Sequence, residues 1–118
     1  RSHAVSEILS QIEAVIQARQ QSANPDSSYV AALLNAGTDH ILKKIGEEAT
    51  EVVIAAKGEA PEPCVHEIAD LWFHLMVLMA HKEIALTTVE TELERRFGTS
   101  GLEEKTARPK NKPARSTP

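Results

Sequence analysis

The sequence predicts an all-α protein, a small helical bundle completed by dimerisation. Three observations carry that expectation. Apolar residues recur three or four positions apart through several segments. No segment alternates strictly between apolar and polar residues, so no half-buried strand is expected. The gaps between the periodic segments hold Asn, Pro, Ser and Gly, which favour turns. A chain of 118 residues suffices for one domain around one core.

Helix 1 is predicted over Val5–Arg19, where Val5, Ile8, Leu9, Ile12, Val15 and Ile16 form one apolar stripe. "QQSANPDSS" (20–28) reads as a loop because of its Asn-Pro step and serine pair. A short helix over Tyr29–Asn35 is stopped by Gly37. Asp39 is placed to cap helix 3, His40–Lys57. Its stripe comprises Ile41, Leu42, Ile45, Ala49, Val52, Val53 and Ala56. "GEAPEP" (58–63) breaks the chain before helix 4, Cys64–His81. Thr87 and Glu90 form a capping box for helix 5, Thr88–Phe97, which Gly98 ends.

Helix 4 is apolar on most of its circumference, and only His66, Glu67, Asp70 and His74 form a polar strip. Such a helix is buried on most sides. A small chain can hardly wrap it alone, so a homodimer is expected, joined through the Leu71, Leu75, Leu78 and Met79 side. Trp72, Met76 and Met79 read as core or dimer contact.

All 17 acids and eight of the 13 Lys/Arg lie in residues 1–104, a net of −9. Residues 105–118 hold the other five bases and no acid. Residues 107–118 therefore read as a basic, disordered tail following an all-α domain over 1–106. Such a tail solubilises more often than it binds, and nucleic acid is not expected as a partner. A single cysteine, Cys64, excludes an internal disulfide and reads as inert packing. Val5–Ile16 carries Glu7 and Glu13, so it does not read as a signal peptide. No apolar run approaches the roughly 20 residues of a membrane span. The expected location is the cytoplasm.

Chemistry concentrates in "KKIGEEATEVV" (43–53). Glu47, Glu48 and Glu51 repel one another on one helix, by about 0.2–0.5 kcal/mol per close pair. Gly46 weakens the same helix by about 1 kcal/mol relative to alanine. Glu48 borders the apolar stripe and Glu51 lies beside it one turn on, which favours a semi-buried site over a solvated face. Helix 4 offers a second pair, Glu67-x-x-Asp70. Two adjacent antiparallel helices could aim Glu48, Glu51, Glu67 and Asp70 into one gap. Oxygen ligands suit hard cations, so Mg²⁺ is expected, with Mn²⁺ possible. Mg²⁺ commonly sits between carboxylates and phosphate, which implies a diphosphate or triphosphate substrate. The same spacing also occurs on plain solvated helices. His66 and His74 read as hydrogen-bonding neighbours, and Lys44 as a salt-bridge partner of Glu48 or a phosphate ligand.

"DHILKKIGEEATEVVIAAK" (39–57), "HEIADLWFHLMVLM" (66–79), "ELERRFGTSGLEEKTAR" (92–108) and "SSYVAALL" (27–34) resemble the phosphoribosyl-ATP pyrophosphatase family. The Glu-Glu-x-x-Glu and Glu-x-x-Asp pairs alone would indicate only the wider all-α, MazG-like nucleoside triphosphate pyrophosphatases. "GTSGLEEK" narrows the likeness to the enzyme of histidine biosynthesis. Val30 and Ala32 depart from the Thr and Lys expected there. The resemblance implies Mg²⁺-dependent hydrolysis of phosphoribosyl-ATP to phosphoribosyl-AMP and pyrophosphate. It implies metal ligation by Glu48, Glu51, Glu67 and Asp70, with Glu47 orienting water. Lys44, Arg95, Ser100, Gly101, Lys105 and Arg108 become candidates for holding the substrate's phosphates. A pyrophosphatase for ordinary or damaged nucleotides, and a non-enzymatic helical dimerisation module, are the competing readings.

Overall fold

The computed structural model describes residues 3–22 and 24–98. Five α-helices and no strands occur among them: α1 (His3–Ser22), α2 (Tyr29–Ala36), α3 (Thr38–Ala56), α4 (Pro61–His81) and α5 (Leu86–Phe97). The chain divides into two compact units, residues 1–86 and 87–118. The tail expected over 107–118 lies outside the described residues, as do Ser100, Gly101, Lys105 and Arg108.

In the first unit, α3 and α4 share the most extensive helix contact, and the short 57–60 link makes them an antiparallel hairpin. Helices α1 and α2 pack against this pair. Aliphatic side chains build the core: Ile16, Leu33, Ile41 and Val77 are almost wholly enclosed, with Val30, Met76 and Leu86 around them. Each comes from a different part of the chain, so the core fixes all four helices at once.

The boundaries have local causes. Asn24 Oδ1 accepts the Asp26 N–H at 2.8 Å, closing the turn around Pro25. Ser28, in extended conformation, accepts the Ala31 N–H on its hydroxyl and caps α2. Gly37, at φ 99°, donates to Leu33 O at 3.3 Å to close α2 and accepts from the Ile41 N–H at 3.2 Å to open α3. That left-handed φ is open to glycine and costly for other residues. Asp39 is therefore not the cap of α3; it sits in the first turn, where its charge suits the helix dipole. Helix α4 starts at Pro61, three residues earlier than expected, because proline is compatible with the first helical position. Its end is a left-handed turn at Glu83 (φ 59°), with Ile84 N–H donating to Met79 O at 2.8 Å. Helix α5 begins at Leu86, so Thr87 lies inside it and not at its cap. The Leu86 N–H donates instead to Glu13 Oε2 at 2.8 Å.

The acids of α4 fall where the sequence reading put them, toward α3 and out of full solvent: Glu67 and Asp70 are half-buried and His74 is 5% exposed, while His66 stays exposed at the rim. Val65, Ile68, Trp72 and Leu75 lie in solvent, with Trp72 51% exposed. Leu78 and Met79, expected at a dimer contact, pack against the core instead, and Leu71 is half-buried. On α3, Val53 and Ile54 are likewise exposed.

The second unit is described through residue 98. Within α5, Glu92 receives Arg95 Nη2 at 2.7 Å and Arg96 Nε at 2.8 Å. These two guanidinium hydrogen bonds hold the Glu92 carboxyl down to about 2. A side chain at Gly98 would put its Cβ 2.6 Å from Glu94 O, so glycine is required at this helix end.

Candidate active site

Helical spacing places Glu67 and Asp70 one turn apart on α4, and the hairpin sets them opposite α3. Ligand atoms of His66, Glu67 and Asp70 lie within 4.8 Å of one another. His66 Nε2 stands 3.4 Å from Asp70 Oδ2, near the exposed rim. Glu48 and Glu51 on α3 do not join that tight group, but their charge reaches it. The Glu67 carboxyl is pushed up from its ordinary range, first by loss of water and then by Glu51, Asp70 and Glu48; His66 pulls the other way. Four of the expected carboxylates thus share one field.

They do not share one environment. The Glu48 side chain is only 14% exposed, in agreement with its place beside the apolar stripe, whereas Glu51 is exposed. Glu47 is turned away among lysines, 3.9 Å from Lys43 Nζ and 3.6 Å from Lys44 Nζ. Lys44 reaches both Glu47 and Glu48, the latter at 3.9 Å. Lys43 reaches only Glu47, whereas Lys44 bridges both acids. The Lys44 ammonium is pushed up from the ordinary range, first by the charge Tyr29 carries once ionised and then by Glu47 and Glu48, with loss of water opposing.

Tyr29 and His74 complete the site. Tyr29 OH lies 2.8 Å from His74 Nε2, and His74 Nδ1 lies 2.8 Å from the Asp70 carbonyl. A carbonyl only accepts, so Nδ1 carries the proton; in the neutral ring Nε2 then accepts the Tyr29 O–H. Both His74 nitrogens are committed, which makes it a hydrogen-bonding neighbour and removes it as a metal ligand. Burial pushes the Tyr29 phenol up; Lys44 opposes, and Glu48, Asp70 and Glu47 add to the rise. Tyr29 therefore belongs to the same electrostatic neighbourhood. The sequence carried a faint sign of it: Tyr29 opens a capped helix that otherwise contains only small and aliphatic residues and Asn35.

Arg95 is engaged by Glu92 within α5. Chemically, the hairpin presents a set of hard oxygen donors short of counter-charge, with one ammonium beside them. The donor set fits a divalent hard cation, because such ions take carboxylate oxygens and a cation relieves the mutual repulsion of neighbouring acids.

The chain matches the model of the phosphoribosyl-ATP pyrophosphohydrolase family over residues 9–97. It is similar to the phosphoribosyl-ATP pyrophosphatase of Trichlorobacter lovleyi, 54% identical over 101 residues, covering 86% of this chain and 93% of that one. The enzyme of the same name from Geobacter metallireducens is 54% identical over 104 residues, covering 88% and 94%. That of Ruthia magnifica is 49% identical over 104 residues, covering 88% and 98%.

Proposed function

The chain belongs to the phosphoribosyl-ATP pyrophosphohydrolase family, and we propose from that membership that it hydrolyses phosphoribosyl-ATP to phosphoribosyl-AMP and pyrophosphate, in histidine biosynthesis. The observation that carries the assignment to this site is the half-buried pair Glu67 and Asp70, whose ligand atoms lie within 4.8 Å of one another on the helix that packs against the one bearing Glu48 and Glu51. These four residues would hold Mg²⁺, with His66 at the rim. When bound, the ion supplies charge neutralisation for phosphate oxygens and lowers the pKa of a bound water.

The rest falls to the chain's own residues. Water adds to the phosphorus that remains with the nucleotide, and the pyrophosphate oxygen departs on the far side. Glu48 and Lys44 hold each other in place, so the ammonium stands where phosphate oxygens meet the acids. Glu47 is paired with two lysines and is suited to orienting water, not to binding the ion tightly. Arg95, Ser100, Gly101, Lys105 and Arg108 are residue types that hold phosphate, and from the sequence they stay the candidates for the substrate's phosphate ends.

The protein acts as a homodimer. Val65, Ile68, Trp72 and Leu75 form a continuous exposed strip at helical spacing, and Val53 and Ile54 are exposed on α3. No helix is long and apolar enough to cross a membrane among the described residues. Cytoplasmic action follows from the biosynthetic role. The decisive assay is pyrophosphate release from phosphoribosyl-ATP, dUTP and dCTP, each with and without Mg²⁺. The expected result is Mg²⁺-dependent release from phosphoribosyl-ATP far above the other two. Equal rates would make the protein a general nucleotide pyrophosphatase, and no release from any would leave a non-enzymatic module.

A further inference from the structure

Tyr29 is 52% exposed although its hydroxyl is bonded to a nearly enclosed histidine. The ring is not free to turn. Phe73 stacks beside it, with ring centroids 6.3 Å apart at 23°, and His74 meets it edge-on at 5.8 Å and 82°. Three contacts thus fix a flat aromatic surface and leave half of it in water. The His74 that holds its hydroxyl is itself bonded to the Asp70 carbonyl, which ties the ring to the turn of α4 that carries Asp70. Trp72 is the other large exposed aromatic of α4, but it lies among the outward strip of that helix, away from Asp70 and His74.

We propose that Tyr29 is the platform on which the substrate's purine stacks. The proposal rests on the functional reading above and names the residue that reads the base. A rigid aromatic ring binds a purine with little loss of side-chain freedom, because its rotamer is already set. The substrate's chemistry strengthens the match. An adenine carrying a ribosyl group on N1 holds a positive charge on its ring far more readily than adenine does. A cationic ring gains from the negative face of tyrosine, and Glu48 and Asp70 favour the same charge nearby. Tyr29 would therefore prefer an N1-substituted adenine over an unsubstituted one.

Three unreactive probes test this by ligand-observed NMR: N1-methyl-AMP, AMP and ribose 5-phosphate. The wild type is expected to bind N1-methyl-AMP tightest and ribose 5-phosphate weakest. Tyr29→Leu should weaken both nucleotides about 5- to 150-fold, the range of one base–aromatic stack, and leave ribose 5-phosphate unchanged. Tyr29→Phe keeps the ring and loses only the His74 bond. It should keep the order of affinities and the upfield ring-current shifts of the adenine H2 and H8 protons. Equal weakening of all three ligands by Tyr29→Leu, unchanged nucleotide binding, or a wild type that binds AMP no better than ribose 5-phosphate would overturn the proposal. Failure of the functional reading looks different: no pyrophosphate release from phosphoribosyl-ATP, whatever Tyr29 does to nucleotide binding.

Discussion

The two sides of α4 meet different surroundings. On the inner side Glu67, Asp70 and His74 lie beside the buried Met76 and Val77, and on the outer side Val65, Ile68, Trp72 and Leu75 are exposed. Half-buried acids and an exposed apolar strip are both unusual on a globular helix. The proposed cation would account for the first and the proposed second copy for the other. Carboxylates are tolerable inside when a cation compensates them. An apolar strip is tolerable outside when another surface covers it.

The sharpest way to break the comparison is on the inner side. Asp70→Asn or Glu51→Gln should lower the rate of pyrophosphate release by about 100-fold or more, since each removes charge that the transition state needs. Melting curves of the same variants without Mg²⁺ should be unchanged or higher, because one repelling charge is gone. A variant with wild-type turnover would remove that residue from the site.

On the outer side, Trp72→Glu should dissociate the homodimer. Light scattering should read about 26 kDa for the wild type, twice the 12.9 kDa chain, and a monomer for the variant. A wild type that is monomeric at micromolar concentration would mean the strip is simply exposed.

Mg²⁺ should stabilise the wild type by about 2.7 kcal/mol at 100 times its dissociation constant. The shift should be smaller in Asp70→Asn. Indifference of the wild-type melting temperature to Mg²⁺ would count against the inner side as a cation site.

A finer effect comes from Glu67. Its carboxyl is raised in the folded chain by lost hydration and neighbouring acids. The sign follows from linkage: ionised Glu67 costs the folded state stability above its folded pKa, and that cost vanishes below the unfolded value. Glu67→Gln should therefore stabilise the metal-free protein at neutral pH and lose the advantage as pH falls into the carboxylate range. Urea unfolding at both pH values checks it. A gain that is independent of pH would point to packing instead.

The smallest expected effect is a control that touches neither side. A Cβ at Gly46 on α3 meets nothing within 4 Å. Gly46→Ala should add about 0.5–1 kcal/mol through helix propensity and leave turnover intact. Lost activity in a more stable Gly46→Ala protein would show that substrate approaches the backbone there.

Much of this was legible in the sequence. The aliphatic periodicity located five helices, and the wheel position of Glu48 anticipated its enclosure. The side of α4 that carries the acids was legible from the wheel, but the division of its apolar residues was not: Leu78 and Met79 pack on the chain's own core, because an apolar residue reads as buried whether its cover is the same chain or another. Proline at 61 read as a break when it was a start, since the same missing N–H suits both. The Tyr29–His74 bond joins residues 45 positions apart and leaves no local pattern. Only the packing of α2 on α4 brings them together.

Gly37 sets a limit on chain length. One residue ends α2 and begins α3, so the two helices have no slack between them. One inserted residue would turn α3 by about 100° and advance it by about 1.5 Å relative to α2. Ile41 would leave the core, and Lys44 and Glu48 would swing away from Tyr29. The loop around Pro25 and the exposed 57–60 link can lengthen without disturbing that phase. Insertions should therefore be accepted at those two places and rejected at Gly37, where helical phase keeps Tyr29 in step with Lys44 and Glu48.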